Sequence, residues 1–320
     1  VGSMKKRRLL FVLKLSWGLA LVAVVAWFSD IGESWKVIEH AQPIPLVLAT
    51  LLGVLSVLLA AIGVTLVGRA VSDRLGWLAG IKGFCLAWVV GFFLGRVSEF
   101  SLPVFWRRHL SIPQAGAVVL VDKLVSLAWI VVLGSVGLGL LVDPQAGWIA
   151  GGLGLLAIGG VFLVIRSRSA RRIASKLLPA LWIERLRELP DTFHLVTQGR
   201  RGSVAANVII TGVRAVLHGL ILTLLMLAIG KDLSPVTATA IQAMVSLTSL
   251  IPGSVMGLGY WESVYVLALG RAGIDTPDAL AAALIWRALN LIIMPPIFMF
   301  GWSQRATRAP VTEEEARFRR

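Results

Sequence analysis

Long apolar runs separated by short polar segments dominate the chain from residue 9 to residue 301. A helix needs about 20 apolar residues to cross the hydrocarbon core of a bilayer. The pattern therefore predicts an all-α integral membrane protein with about six full spans. These spans cover residues 9–28, 43–68, 115–142, 147–165, 203–229 and 279–301.

Two further apolar stretches are too short or too broken to be single crossings. The run at 83–95 falls short of the required length, and a Pro-Gly pair interrupts the run that follows residue 235. Basic clusters lie at both ends of the first stretch, and the second is expected to begin and end outside, so the pattern predicts two re-entrant helical hairpins, at 83–110 and 236–270. They would enter the bilayer from opposite sides, as in the inverted repeats of transporters.

Composition and charge agree with a membrane protein. The chain has a mean hydropathy of +0.83, a net charge of +14 and only 15% charged residues. The basic residues gather at the ends of apolar runs, which fits the positive-inside rule better than nucleic-acid binding. We therefore expect a multi-pass protein of the inner (cytoplasmic) membrane with both termini in the cytoplasm.

Two segments are assigned outside the spans. Basic residues outnumber acidic ones at 166–201, and apolar residues recur there at helical spacing. This pattern predicts a cytoplasmic amphipathic helix on the membrane surface. Residues 1–3, which precede Met4, are expected to be a tag remnant.

A carboxylate, Glu262, lies in the second broken stretch, where an unpaired charge is costly. The residues predicted to break the helix there are Pro252, Gly253, Gly257 and Gly259. Backbone N–H groups at a broken helix end bind anions, so the pattern favours a polar binding site. The alternative is helix packing through small residues, with Glu262 at the interface.

Arginines at membrane depth are the other candidate ligands. Arg214 lies about 16 Å along its span, and its planar fork suits phosphate. The alternative is a structural ion pair, and Arg107 is either a positive-inside marker or a headgroup ligand. The further candidate binding residues are Arg96, Glu99, His218, Arg287 and Asn290.

Several classes of chemistry find no support in the sequence. The four histidines show no metal-ligand spacing, and the single cysteine, Cys85, cannot form a thiolate metal site. The chain has no Walker loop. We therefore expect no metal, no cofactor and no ATP-driven step.

The charged motifs resemble those of the integral-membrane domain of lysylphosphatidylglycerol synthases. The segment LGRVSEFSLPVFWR matches the family at Arg96, Glu99 and Arg107, whereas VDKLVSL has Asp122–Lys123 where Glu-Arg is usual. Arg287 fits the arginine of the last span. The segment IPGSVMGLGYWES matches at Pro252, Gly257, Gly259 and Glu262, with Trp261 in place of an arginine.

The resemblance implies a lipid translocase or a lipid-binding partner, because this domain is thought to move the modified lipid while a separate soluble domain makes it. The replaced arginine changes the expected headgroup, since Trp261 beside Glu262 suits a sugar or a cation. We therefore expect flippase-like transport of an anionic phospholipid or a polyprenyl-phosphate-linked glycolipid. The alternatives are a membrane-embedded lipid or glycosyl transferase, and a scaffold for a separate lipid-synthesis enzyme.

Overall fold

The computed structural model describes residues 31–94, 101–166, 201–248 and 259–303. The predictions for 1–3, for the span at 9–28 and for the amphipathic segment at 166–201 therefore lie almost wholly outside the described residues. The described part is helical throughout and contains no strand. Its helices are α1 (Ile31–Glu39), α2 (Pro43–Val71), α3 (Trp77–Leu94), α4 (Leu102–Trp106), α5 (Ile112–Leu141), α6 (Pro144–Arg166), α7 (Arg201–Ala228), α8 (Pro235–Thr248), α9 (Tyr260–Arg271) and α10 (Thr276–Trp302).

Five of these helices, α2, α5, α6, α7 and α10, are long and apolar enough to cross a membrane. They coincide with five of the six predicted spans, and large apolar side chains cover their outer faces. A contiguous apolar surface of this kind is stable in lipid rather than in water. The chain is thus an all-α, multi-pass membrane protein, as the apolar pattern predicts.

The helix α3 begins before the segment predicted as the first hairpin. It starts at Trp77 and has 18 residues. Lys82, which directly precedes the predicted segment, is therefore inside the helix and does not mark its boundary. The Lys82 ammonium lies 5.5 Å from the centre of the Phe300 ring on α10. Residues 95–100 lie outside the described part, so the hairpin at 83–110 stays a prediction.

The second predicted hairpin corresponds to two short helices. The helix α8 has 14 residues and α9 has 12, so neither is long enough to cross the hydrocarbon alone. The two helices contact each other, and α8 packs between α5 and α7. Residues 249–258, which join them, lie outside the described residues, and the re-entrant assignment remains a prediction.

The bundle has two chemically different ends, which we name by one residue each. The Lys231 end contains the starts of α2, α8 and α10 and the end of α7, where the Gln42 amide donates to the Ala228 carbonyl at 2.8 Å. The Arg69 end contains the end of α2 and the starts of α3 and α5. The most extensive helix contact joins α2 and α7, which run antiparallel between these ends.

An ion pair at the Lys231 end joins the segment after α7 to the start of α10. The Lys231 ammonium lies 2.8 Å from Asp278 and 3.8 Å from Asp275. The hydrogen bond and the charge of Asp278, with a smaller contribution from Asp275, raise the pKa of Lys231 above its ordinary 10.5. The folded state therefore holds this proton more tightly than the unfolded state, and the pair stabilises the fold below pH 10.5.

We expect this stabilisation to be lost as pH rises from 10.5 through the higher folded pKa. The thermal midpoint of the wild type should fall more steeply over that range than that of Lys231→Met, which lacks the pair at every pH. The difference should stay below about 1 kcal/mol, since Lys231 is partly exposed. The exposed control Lys36→Met should keep the wild-type slope, and equal slopes for all three proteins would contradict this account.

Candidate functional site

A buried ion pair between α9 and α10 is the core of the candidate site. One carboxylate oxygen of Glu262, Oε1, lies 2.7 Å from Arg287 Nε and 2.6 Å from Nη2. Glu262 is only 4% exposed. Its other oxygen, Oε2, is buried and accepts no hydrogen bond from the described residues. A buried acceptor left in this state is costly, so the site is suited to a ligand that donates a hydrogen bond.

The start of α9 positions Glu262. Gly259 precedes the helix with φ +76°, a left-handed conformation that glycine adopts without strain. Its carbonyl accepts hydrogen bonds from the backbone N–H and the hydroxyl of Ser263, at 3.1 and 2.6 Å. Glu262 then falls in the first turn, where the helix dipole favours a negative charge. Of the four residues predicted to break the helix, Gly259 is the one that the structure describes, and the break itself stays a prediction.

A second polar contact joins α2 to α7, beside Trp286 of α10, the residue that precedes Arg287. Ser56 Oγ lies 2.8 Å from His218 Nε2, and the His218 ring meets the Trp286 ring edge-on at 6.0 Å between centroids. Ser56 and Trp286 are buried. Arg214 is half-buried one turn before His218, so the two side chains share a face of α7.

Tyr265, one turn after Glu262 on α9, joins this helix to α8. Its hydroxyl donates to Gln242 Oε1, and its ring lies 6.4 Å from the Trp286 ring, centroid to centroid. Trp286 therefore contacts both Tyr265 on α9 and His218 on α7, which joins the two sets of polar groups through one aromatic side chain. We call the whole set the central polar cluster. It comprises Ser56, Arg214, His218, Gln242, Glu262, Tyr265, Trp286 and Arg287.

The sequence reasoning missed four members of this cluster: Ser56, Gln242, Tyr265 and Trp286. A single hydroxyl such as Ser56 in an apolar run carries no signal, because serine is common in membrane helices. Gln242 was detectable, since an amide within a short membrane helix needs a partner. The two aromatic residues resemble ordinary core residues, and only their neighbours distinguish them.

Two of the predicted ligands are held by other contacts. The Asn290 amide donates to the Trp286 carbonyl of its own helix at 2.8 Å. Trp261 is partly buried and packs against the apolar core. Both lie next to the central polar cluster in sequence, and their roles as ligands remain predictions.

Arg107 does not join the central polar cluster. It is exposed beside the end of α4, at the Arg69 end of the bundle. Five other predicted residues lie outside the described part of the chain, so their positions stay predictions. They are Arg96, Glu99, Pro252, Gly253 and Gly257.

A smaller polar group lies between the central polar cluster and the Arg69 end. Asp122 on α5 is 3% exposed, accepts a 3.4 Å hydrogen bond from the Asn207 amide and lies 3.5 Å from the Lys123 ammonium. A cavity of about 20 Å³ beside it has room for a water molecule. Among the described residues, no group of three or more His, Cys, Asp or Glu side chains is arranged to hold a metal ion.

Comparison with known families agrees with this architecture. No curated protein matches the chain. A family model described as the lysylphosphatidylglycerol synthase TM region matches residues 15–296, nearly the whole chain. The matched residues include every member of the central polar cluster, and the match indicates a membrane protein of lipid metabolism or transport. The chain therefore belongs to the lysylphosphatidylglycerol synthase transmembrane-region family.

Proposed function

We propose that the protein moves an anionic lipid headgroup across the bilayer through the central polar cluster. The observation that carries the proposal is the buried Glu262–Arg287 pair, with one carboxylate oxygen that no described residue satisfies. A protein that needed only a stable core would gain from apolar residues here, because a buried ion pair seldom repays its desolvation. Charged groups retained inside a membrane bundle mark substrate pathways.

The chemistry of the cluster suits a phospholipid headgroup. The guanidinium groups of Arg214 and Arg287 carry planar donors that match phosphate oxygens. Glu262 Oε2 would accept a hydrogen bond from a hydroxyl or ammonium group of the same headgroup. Glycerol, sugar and aminoacyl headgroups all provide such donors beside the phosphate, so an anionic phospholipid or a polyprenyl-phosphate-linked glycolipid satisfies both requirements.

The acyl or isoprenoid tails would remain in the hydrocarbon, and only the headgroup would need a polar path. Glu262 lies in the first turn of the short helix α9. Both α8 and α9 resemble the discontinuous helices that form transporter sites at the bilayer midplane. The proposal adopts the predicted inner-membrane location and the two re-entrant hairpins. Movement would follow the lipid gradient or be coupled to protons, with Glu262 as the proton carrier.

A proteoliposome assay tests this function. Phosphatidylglycerol and phosphatidylcholine carrying a fluorophore on one acyl chain are reconstituted separately, and a membrane-impermeant reductant bleaches the outer leaflet. Wild-type protein should accelerate bleaching of the inner-leaflet phosphatidylglycerol well above protein-free vesicles, and do less for phosphatidylcholine. Absence of acceleration for both lipids by folded protein would refute the proposal for phospholipids.

Glu262→Gln is expected to abolish this acceleration, because the neutral amide cannot balance Arg287 and presents different hydrogen-bonding groups to the headgroup. The matched control is Glu39→Gln, which makes the same change at an exposed position at the end of α1. The control should transport at the wild-type rate. Wild-type transport by a Glu262→Gln protein with an unchanged thermal midpoint would remove Glu262 from the mechanism.

A further inference from the structure

A basic groove lies at the Arg69 end, separate from the central polar cluster. Its volume is about 410 Å³, and it is lined by Arg74, Arg107, Arg108 and His109. None of the described residues that line it is acidic. Val71, which also lines the groove, is 15 residues from Ser56 along α2, which places the two sites about 22 Å apart at helical rise.

A buried tryptophan fixes the position of the groove's arginines. Trp106, directly before Arg107, is fully buried, and its indole N–H donates to the Gly80 carbonyl at 3.2 Å. Glycines pack against its ring: a Cβ at Gly83 would lie 2.5 Å from Nε1, and one at Gly68 would lie 2.9 Å from Cζ3. The backbone that carries the two neighbouring arginines is therefore anchored to α2 and α3.

The donors in this groove are side chains rather than helix amides. The backbone N–H groups of Ser111 and Gln114, which line the groove at the start of α5, are already used: Ser111 Oγ accepts from the Gln114 N–H, and Gln114 Oε1 accepts from the Ser111 N–H. Pro113 has no N–H to offer. The three guanidinium groups thus provide the binding chemistry, and planar forks of this kind bind phosphate through paired hydrogen bonds.

Exposed apolar side chains lie within four residues of the groove's lining residues along the chain. Val104 on α4, Leu78 on α3 and Ile112 on α5 are 58%, 58% and 67% exposed. Exposed apolar residues next to a basic concavity are the arrangement expected where hydrocarbon meets the headgroup layer. A soluble phosphate would need the arginines but not this apolar border.

We propose that the groove of Arg74, Arg107, Arg108 and His109 binds the phosphate of an anionic lipid headgroup at the membrane surface. This second site is distinct from the central polar cluster and does not depend on transport. The lipid tails would lie along the apolar border, and the arginines would contact the phosphate. Its occupancy would then rise with the anionic lipid content of the leaflet that it faces.

Local photo-crosslinking tests the proposal. The photoreactive residue benzoylphenylalanine replaces Ser72 at the rim of the groove, and the protein is reconstituted in nanodiscs of equal phosphatidylglycerol and phosphatidylcholine. Phosphatidylglycerol adducts should exceed phosphatidylcholine adducts about tenfold, because each Arg near an anionic surface strengthens binding severalfold. Arg107→Gln with Arg108→Gln should abolish the excess. Lys36→Gln with Arg271→Gln, an equal charge change at exposed positions elsewhere, should retain it.

Three results would overturn the assignment. One is equal crosslinking of the two lipids, and another is an excess that survives the double arginine change. The third is loss of the phosphatidylglycerol adduct on adding inorganic phosphate but not chloride of equal ionic strength, which would identify a site for soluble phosphate. Transport is measured on the same variants. If the groove proves not to bind lipid but transport is intact, the function proposed for the central polar cluster is unaffected.

Discussion

Replacing Arg287 with methionine is expected to destabilise the protein by about 3–5 kcal/mol. The change removes both contacts to Glu262 Oε1 and leaves a buried carboxylate without its counter-charge. An uncompensated buried charge costs more than the ion pair itself contributes, because the remaining group keeps its full desolvation penalty. Thermal unfolding in detergent and in nanodiscs measures the effect.

The matched control is Arg271→Met, which removes the same side chain from an exposed position at the end of α9. It should change stability by less than about 0.5 kcal/mol. The double variant Glu262→Gln with Arg287→Met should recover most of the stability lost in Arg287→Met, yet remain inactive in transport. Stability of Arg287→Met equal to that of the control would show that the pair is not buried in the membrane-embedded protein.

Gly219→Ala is expected to cost about 3 kcal/mol, the upper end of the range for overpacking. Gly219 faces α8, and a Cβ there would lie 1.9 Å from Thr239 Oγ1 and 2.6 Å from Thr239 Cα. A rotamer change can move a hydroxyl, but the backbone contact forces α7 and α8 apart. The loss appears as a lower thermal midpoint, together with slower transport, since the preceding residue is His218.

Gly202→Ala in the same helix is the control, because a Cβ at Gly202 meets no described atom within 4 Å. It should be neutral or stabilise by up to about 1 kcal/mol, since alanine favours helix over glycine. If the two alanine variants unfold at the same temperature, the close approach of α7 and α8 is not as described.

The apolar pattern was sufficient to predict the long membrane helices, but it did not predict where the shorter helices begin. Runs such as Pro43–Val71 are set by burial in lipid, a property that each residue carries individually. The predicted segment begins at residue 83, directly after Lys82, whereas α3 begins at Trp77 and Lys82 is helical beside the Phe300 ring. A cation–π contact depends on a residue more than 200 positions away, so local sequence cannot reveal it.

The candidate site was predicted as separate charges rather than as a constellation. Glu262 and Arg287 were identified because a charge in an apolar run is costly and requires a reason. Their pairing depends on the packing of α9 against α10, and the contact between Ser56 and His218 joins helices 162 residues apart. Such contacts depend on how the helices pack, and a single sequence without a structure does not show which helices are neighbours.

Only the structure shows that the arginines belong to two different sites, the groove and the central polar cluster. In the sequence, Arg107 and Arg214 are both candidate phosphate ligands. Arg107 lies in an exposed groove at the Arg69 end, whereas Arg214 is half-buried one turn from His218. Their different surroundings lead us to expect surface binding at the first and headgroup passage at the second.

Native mass spectrometry of gently purified protein, with identification of the lipids that remain bound, tests the central claim most directly. The measurement compares Arg214→Gln with Arg271→Gln, both made with Arg107→Gln and Arg108→Gln so that the groove does not contribute. We expect one class of anionic lipid to be retained by the Arg271→Gln protein and lost from the Arg214→Gln protein. Identical bound lipids in the two proteins, both folded, would contradict the claim that the central polar cluster holds a lipid phosphate.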